Sequence, residues 1–446
     1  MEKRRYIYFL GIGGIGMSAL ARYYHRRGVA VAGYDRTPSP LTRQLEAEGI
    51  AIHYTDNPAL LPAIVEKAVY TPAVPKDSRE WRQLEESGVP MVKRAVLLGE
   101  ISRSHRCIAL AGTHGKTSMT TLTALLCSAR QPVVAFIGGV ANNFHSNLLD
   151  EENAQLMVVE ADEFDRSFLQ LYPDVAVVSA MDADHLDIYR DEAHLREAFD
   201  QFSQQIRPGG VLFTKPSLRT GFHTLAEVRT YALHDRAADY CASNIRITEA
   251  GSLFDLNTPD GVIRDLLLST AGLYNVENAV AAAAVALHEG VGEGLLRERL
   301  ACYQGVKRRF EYIIRRPDLV YIDDYAHHPN ELKACIESAR QWHAGRRLCG
   351  VFQPHLYSRT RDFADEFAMQ LSKLDEVVLL DIYPAREKPI EGVNSQMLLD
   401  KISLKNKYLC TKEELIPLLR KLRPELLLTM GAGDIDRLVE QIKNAL

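Results

Sequence analysis

The sequence predicts an α/β protein made of three successive parallel-sheet units. Three observations carry that prediction. Short, nearly continuous apolar runs alternate with longer amphipathic or Ala-rich stretches, the rhythm of βαβ units. Two of those runs enter glycine turns that open into helical patterns, at Tyr6–Gly16 and at Cys107–Thr117. A chain of 446 residues also exceeds one ordinary core, so two or three domains are expected.

The first unit is read as 1–103. Strands are expected at Tyr6–Ile12, Val29–Asp35 and Ala68–Thr71, with an amphipathic helix over Gly16–Arg27. The prolines of Thr71-Pro-Ala-Val-Pro75 mark a loop after the third strand. The second unit is read as 104–306, with strands at Cys107–Ala111, Val133–Ile137, Leu156–Ala161, Val175–Met181 and Val211–Thr214. The first three of these are nearly continuous apolar runs, as expected for strands covered on both faces. From Val228 to Leu267 the pattern shortens, with hairpin-like turns at Gly251, Pro259 and Gly261, before an Ala-rich helix over Val276–His288. The third unit, 307–446, has strands at Leu319–Ile322, Leu348–Phe352, Glu376–Asp381 and Leu426–Met430. Helices over Glu331–Trp342, Arg361–Leu374, Lys412–Lys421 and Asp434–Ala445 make it another open α/β sheet.

Composition excludes several classes. Apolar residues at 46% and charged residues at 25% are ordinary for a soluble globular protein. A net charge of −5 leaves no footprint for nucleic acid or an anionic membrane surface, and neither partner is expected. No apolar run reaches the roughly 18 residues of a membrane span, and no signal-peptide pattern opens the chain. Seven scattered cysteines without C-x-x-C spacing read as reduced thiols of a cytoplasmic protein.

Gly11-x-Gly13-x-x-Gly16 matches the fingerprint of a diphosphate turn, and Asp35 ends the next expected strand. In a nicotinamide dehydrogenase that acid would hold a ribose, and other nucleotide diphosphates use the same turn. Thr71 ends a third strand of the same sheet, where it could touch the same ligand. Gly112-Thr-His-Gly115-Lys116-Thr117 resembles a phosphate loop between a buried strand and a Thr-rich helix. Backbone N–H groups from Thr113 to Thr117 would form the anion nest, Lys116 would reach the β- and γ-phosphates of ATP, and the Thr117 hydroxyl would ligate Mg²⁺. Leu110 stands where the longer form of the motif has its first glycine. Glu160-Ala-Asp162-Glu163 ends one strand and Asp182, Asp184, His185 and Asp187 end another, so a metal site is expected beside the loop. His327 and His328 precede Pro329, a pattern that equally suits a helix N-cap. Lys307-Arg308-Arg309 and His355-Leu-Tyr-Ser-Arg359 are further polar clusters at the start and at a strand end of the third unit.

Together these motifs resemble the Mur ligases over nearly the whole chain, from about Ile7 to Gly433. The carriers are Gly11-Ile-Gly-Gly-Ile-Gly-Met-Ser18, Gly112–Thr117, Glu160–Glu163, Asp184-His-Leu-Asp187, Tyr274-Asn-Val-Glu-Asn-Ala279, Gly305-Val-Lys-Arg-Arg-Phe-Glu311, Asp323–Pro329 and Phe352-Gln-Pro-His355. The resemblance implies a Rossmann-like N-terminal domain for a UDP-sugar, a central P-loop ATPase-like domain and a C-terminal Rossmann-like domain for an amino acid. It implies ATP-dependent ligation of L-alanine to the carboxylate of UDP-N-acetylmuramate through an acyl phosphate, with Mg²⁺, by a monomer or weak homodimer. A tripeptide in place of alanine is the alternative, and a dehydrogenase the remoter one.

Carried over position by position, Gly13, Gly14, Ile15, Gly16, Met17, Ser18, Asp35, Thr71 and Tyr325 bind substrate. Gly112, Thr113, His114, Gly115, Lys116, Thr117, Ser118, Asn275, Asn278, Arg309 and Asp324 serve ATP. Thr117, Glu160 and His185 hold the metal. Lys116, His328, His355 and Arg359 act in catalysis, with His328 or His355 as the base. Leu356, Phe164 and Tyr274 depart from the family pattern, and Leu356 shifts more of the positive charge at its site onto Arg359.

Overall fold

A computed structural model describes residues 4–182, 189, 191–385 and 387–446. Its strands form three sheets. The first orders its strands β3-β2-β1-β4-β5, all parallel. These are β1 (Tyr6–Leu10), β2 (Ala30–Tyr34), β3 (Ala51–His53), β4 (Val65–Tyr70) and β5 (Met91–Lys93), joined through α1 (Ile15–Arg26), α2 (Pro40–Ala47) and α3 (Arg79–Glu86), with α4 (Arg94–Arg103) leading out. Buried apolar side chains alternate along β1: Phe9 faces one core, and Tyr8 and Leu10 face the other.

The second sheet has ten strands, ordered β15-β14-β13-β12-β11-β10-β6-β9-β7-β8. Seven of them are β6 (Arg106–Ala111), β7 (Val133–Ala141), β8 (Ser146–Asp150), β9 (Leu156–Glu160), β10 (Val175–Val178), β11 (Val211–Thr214) and β12 (Glu227–Ala232). Three longer strands, β13 (Tyr240–Thr248), β14 (Gly251–Thr258) and β15 (Gly261–Leu268), realise the expected hairpin region. Helices α5 (Lys116–Cys127), α6 (Glu192–Gln204), α7 (Leu273–His288) and α8 (Glu293–Ala301) belong to the same stretch of chain. Strand β6 lies between β9 and β10, parallel to both. That order brings the ends of β9 and β10 to either side of whatever follows β6.

The third sheet runs β16-β17-β21-β18-β19-β20, with β16 antiparallel to the rest. In chain order its elements are β16 (Glu311–Arg315), β17 (Val320–Asp324), α9 (Pro329–Trp342), β18 (Leu348–Phe352), α10 (Tyr357–Asp362), α11 (Ala364–Leu371), β19 (Glu376–Leu379), α12 (Ser395–Lys401), β20 (Lys407–Leu409), α13 (Lys412–Leu422), β21 (Leu426–Met430) and α14 (Asp436–Ala445). Apolar cores cover both of its faces.

The expected long strands are all present, whereas the short strands β3, β5, β8, β16 and β20 were not anticipated. They have three to five residues each, too short to establish a period. The helix expected over Arg361–Leu374 is two, starting earlier at Tyr357 and breaking at Phe363, whose φ −115 and ψ 22 leave the helical region.

The described chain groups into two compact units. One comprises Met1–Ile245, Leu253–Leu268 and Glu277–Gln304, and the other Arg246–Ser252, Ser269–Val276 and Gly305–Leu446. Within the first unit a single apolar core runs from the N-terminal sheet into the central one, through Leu20, Phe136, Val159 and Phe199. At its edge Arg22, 2% exposed, donates to Glu48 at 2.9 Å and to Asn147. Asn147 in turn donates to Ile15 O at 2.5 Å and Ser18 Oγ at 2.9 Å, which fastens β8 to the start of α1.

Candidate active site

The first glycine turn connects β1 to α1 at the C-terminal edge of its sheet. Strands β1 and β4 are neighbours there, and their connections leave in opposite directions, the kind of switch point where open α/β sheets bind ligands. Gly11 adopts φ +81, and a Cβ on it would lie 3.1 Å from the Thr71 methyl and 3.2 Å from a Val74 methyl. Thr71 therefore borders the turn, as its position after β4 suggested. Asp35 closes the other side. Its Oδ2 accepts from Gly13 N–H at 2.8 Å and its Oδ1 from Thr37 N–H at 3.2 Å, so the carboxylate fastens the turn. Helix α1 starts behind Gly14 with no side-chain cap and no acid in its first turn, which leaves its positive end to an anion. Ile15 is 36% exposed at that end. Arg94 covers Gly16 closely enough that a Cβ there would lie 2.7 Å from Nη1. Met17 and Ser18, also expected at the substrate, are used by the fold: Met17 is in the core, and buried Ser18 donates to Ile15 O and accepts from Asn147.

The second turn connects β6 to α5. Gly112 (φ +125) and Gly115 (φ +81) take conformations that side chains rarely adopt. They also leave no room. A Cβ on Gly112 would collide with Ser179 Oγ, and one on Gly115 would lie 2.5 Å from Asn278 Oδ1. Ser179, at the end of β10, holds the loop by its hydroxyl, 2.5 Å from His114 O. Thr113 N–H donates to Ala180 O at 3.0 Å, Asp182 N–H to Thr113 Oγ1 at 3.2 Å, and His114 Nε2 lies 3.0 Å from Asp182 Oδ2. Ser179 carried no motif; only its place beside β6 identifies it. Thr117 and Ser118 are buried in the first turn of α5, which has no acid and no side-chain cap.

Lys116 folds back over this loop. Its Nζ donates to Gly112 O at 2.8 Å and to both carboxylate oxygens of Glu163, each at 2.8 Å. Burial opposes the Lys116 charge, but Glu163, Asp162 and Glu160 outweigh it, so the pKa is raised and the ammonium persists. Glu160 ends β9 on the same side, its Oε2 accepting from Gly138 N–H at 2.9 Å. A Cβ on Gly138 would collide with that carboxylate. Arg94 completes the picture: its Nη2 lies 3.8 Å from Asp162 Oδ2 while the guanidinium covers Gly16.

Thr117 and Glu160 are hard oxygen donors that suit Mg²⁺, an ion content with one or two protein carboxylates, waters and phosphate oxygens. His185, expected as their partner, lies outside the described residues together with Asp184 and Asp187. Among the described residues no group of three or more His, Cys, Asp or Glu could hold a metal by itself. The uncapped loop with its buried lysine suits a nucleotide phosphate.

In the C-terminal unit the functional candidates gather where β17, β18 and β21 end. Asp324 is buried, accepting from Phe310 N–H at 2.6 Å and Ala326 N–H at 2.8 Å, and burial pushes its pKa up to about 6. Arg309 lies 5.1 Å over the Tyr325 ring and 3.8 Å from Glu331. Arg308 and Phe310 hold φ +61 and +50, and Arg308 pairs with buried Asp323 at 3.1 Å. Asn275 is buried and donates to Ala271 O at 2.6 Å.

His328 is the N-cap of α9, as the alternative sequence reading had it. Its Nδ1 accepts from Asn330 N–H at 3.3 Å, and Glu331 returns a bond to His328 N–H at 3.2 Å. A neutral ring that accepts at Nδ1 carries its proton on Nε2, so His328 is set up as a donor. His355 stacks on Tyr383 at 5.8 Å and meets His327 edge-on at 6.0 Å. Leu356 follows with φ +68 at 7% exposure, so this departure from the family pattern turns inward. Arg359, 8% exposed, lies on α10 just beyond.

Comparison with known proteins gives a consistent picture. The Mur ligase family catalytic-domain model matches residues 6–106, the Mur ligase middle-domain model 110–286, and the Mur ligase glutamate ligase-domain model 308–433. The UDP-N-acetylmuramate–L-alanine ligases of Flavobacterium psychrophilum and Porphyromonas gingivalis are each 47% identical to this chain, with 99% of it and 98% of each relative covered. The solved UDP-N-acetylmuramate-alanine ligase of Thermotoga maritima superposes with a TM-score of 0.83 at 26% identity, covering 98% of both chains. A murein peptide ligase from Psychrobacter arcticus shares the fold, with a TM-score of 0.72 at 23% identity over 99% of this chain and 98% of that one.

Proposed function

Because the chain belongs to the Mur ligase family, we propose that it joins L-alanine to the carboxylate of UDP-N-acetylmuramate with cleavage of ATP, a step in peptidoglycan precursor synthesis. One observation carries the reading best. The two phosphate turns belong to one compact unit, and Arg94 reaches from Gly16 of the first to Asp162, next to the Glu163 that holds Lys116 of the second. A UDP-anchored acid and a phosphoryl donor can thus be held in a fixed relation. We take 1–103, 104–306 and 307–446 as the domain boundaries. Among the described residues no helix is long and apolar enough to cross a membrane.

A carboxylate does not condense with an amine in neutral water unless it is activated. Phosphoryl transfer from ATP gives an acyl phosphate, whose phosphate the amine of alanine then displaces. Gly11–Gly16, Asp35 and Thr71 bind the UDP end, far from the reacting carboxylate. The Gly112–Thr117 turn orients the ATP phosphates with its N–H groups, and Lys116 neutralises charge that builds on the transferred phosphoryl. Thr117 and Glu160 would hold Mg²⁺, which would supply further neutralisation there. Asn278 touches the loop and Asn275 serves the adenine, while Arg309 and Asp324 serve the ATP side of the C-terminal domain. Tyr325 and Arg359 receive alanine and the acyl group. His355 takes the proton of the attacking amine, whereas His328 donates and caps.

The deciding experiment is phosphate release with UDP-N-acetylmuramate and ATP across L-alanine, glycine, L-serine and the tripeptide that a recycling ligase takes. Preference for alanine is expected; preference for the tripeptide overturns the reading. His355→Ala should lower turnover about 10²-fold at saturating alanine. His328→Ala should mainly cost about 1 kcal/mol of stability as a lost cap. Normal turnover in His355→Ala removes it as the base.

A further inference from the structure

The mechanism leaves Glu163 without a task, yet it is fully buried and faces the most important cation of the site. An ammonium has three hydrogens. In this structure all three are assigned: two to the carboxylate oxygens of Glu163 and one to Gly112 O, each at 2.8 Å. A phosphate oxygen can therefore reach Lys116 only by displacing a bond that already exists.

Glu163 is fixed. Its carbonyl accepts from the Tyr189 hydroxyl at 2.5 Å and from Arg166 N–H at 3.0 Å. Asp165 and Arg166 next to it hold φ +53 and +54, a tight turn that anchors the segment after β9. Gly112 O is part of the main chain and is equally fixed. The moving part is the four-carbon stem of Lys116, 14% exposed and open to the loop.

We propose that Glu163 is the resting partner of Lys116: it holds the ammonium folded over the turn, and the nucleotide binds by taking that ammonium over. The proposal rests on the reading of Gly112–Thr117 as the ATP loop. A buried ammonium without a close counter-charge is costly, so Glu163 keeps the nucleotide-free loop stable. For the same reason each nucleotide binds against the ion pair, and its measured affinity is lowered by that competition. When product leaves, Glu163 recaptures the lysine. Glu163 thus acts as a positioning residue through Lys116.

The test uses the full chain with Mg²⁺ and neither other substrate. Calorimetry measures ATP binding, with adenosine as a phosphate-free control, in wild type and in Glu163→Gln. In the variant the nucleotide-free protein carries a buried ammonium that has lost its direct carboxylate partner, which ATP relieves, so its melting temperature should fall and ATP should bind about tenfold tighter or more, with adenosine unchanged. Glu163→Asp, which draws the carboxylate back by one methylene, should show a smaller gain in the same direction. It carries the test should Glu163→Gln fail to fold. Unchanged or weaker ATP binding in a folded variant overturns the proposal, because a purely structural Glu163 would change stability without selective gain for the phosphate-bearing ligand. No ATP binding by the wild type would instead overturn the assignment of the loop, and the proposal with it.

Discussion

The two phosphate turns start from the same plan, a parallel strand, a glycine at positive φ and an uncapped helix, yet they are built to different tolerances. The first is closed by one carboxylate, Asp35, and bordered by the methyls of Thr71 and Val74. The second is gripped from three directions: by Ser179 and Asp182 after β10, by Asn278 on α7 and by Glu163 after β9. An anchoring site needs only to hold a diphosphate. A site that moves a phosphoryl group has to fix donors and cation to a fraction of an ångström, because small misplacements cost large factors in rate.

That contrast can be broken or sharpened by substitution. The largest effect is expected for Lys116→Ala, which should lower ATP-dependent phosphate release about 10³-fold or more while calorimetric binding of UDP-N-acetylmuramate stays normal. Loss of both would show that the turns do not act separately. Next comes Ser179→Ala. Without its bond to His114 O the second turn should loosen, raising the KM for ATP about tenfold and leaving that for the UDP-sugar unchanged. For Asp35→Ala the pattern reverses: the KM for the UDP-sugar rises about fivefold, in line with a hydrogen bond of roughly 1 kcal/mol, and the KM for ATP holds. Arg94→Gln is the smallest, since partly exposed pairs at such distances are worth at most about 1 kcal/mol. It touches both turns, so steady-state kinetics should show both KM values rising about twofold. An effect on one side only would remove Arg94 as the link.

Both glycine turns were legible in the sequence because each is a local statement: strand, turn and helix within about a dozen residues. The acids after β9 were legible for the same reason. What escaped was everything set by the neighbours of a strand. Ser179 is an ordinary serine after Val-Val until β10 lies beside β6 and puts its hydroxyl under Gly112. Arg94 reads as a helix residue until α4 brings it over Gly16. Asp35 reads as an acid facing a ribose or a substrate, and its carboxylate also fastens the turn, since Gly13 N–H lies within its reach. His328 could be read two ways, and only the geometry at Asn330 and Glu331 made it a cap.

Buried Arg22 has a consequence for synthesis in the cell. Glu48 and Gln44 follow it within 26 residues, but Asn147 comes 125 residues later. At a ribosomal pace of about 5–20 residues per second, the first sheet waits on the order of ten seconds for that partner. Until then it emerges with a guanidinium incompletely matched and the apolar face of α1 uncovered. The opening hundred residues of this enzyme therefore mature on the schedule of the segment that follows them.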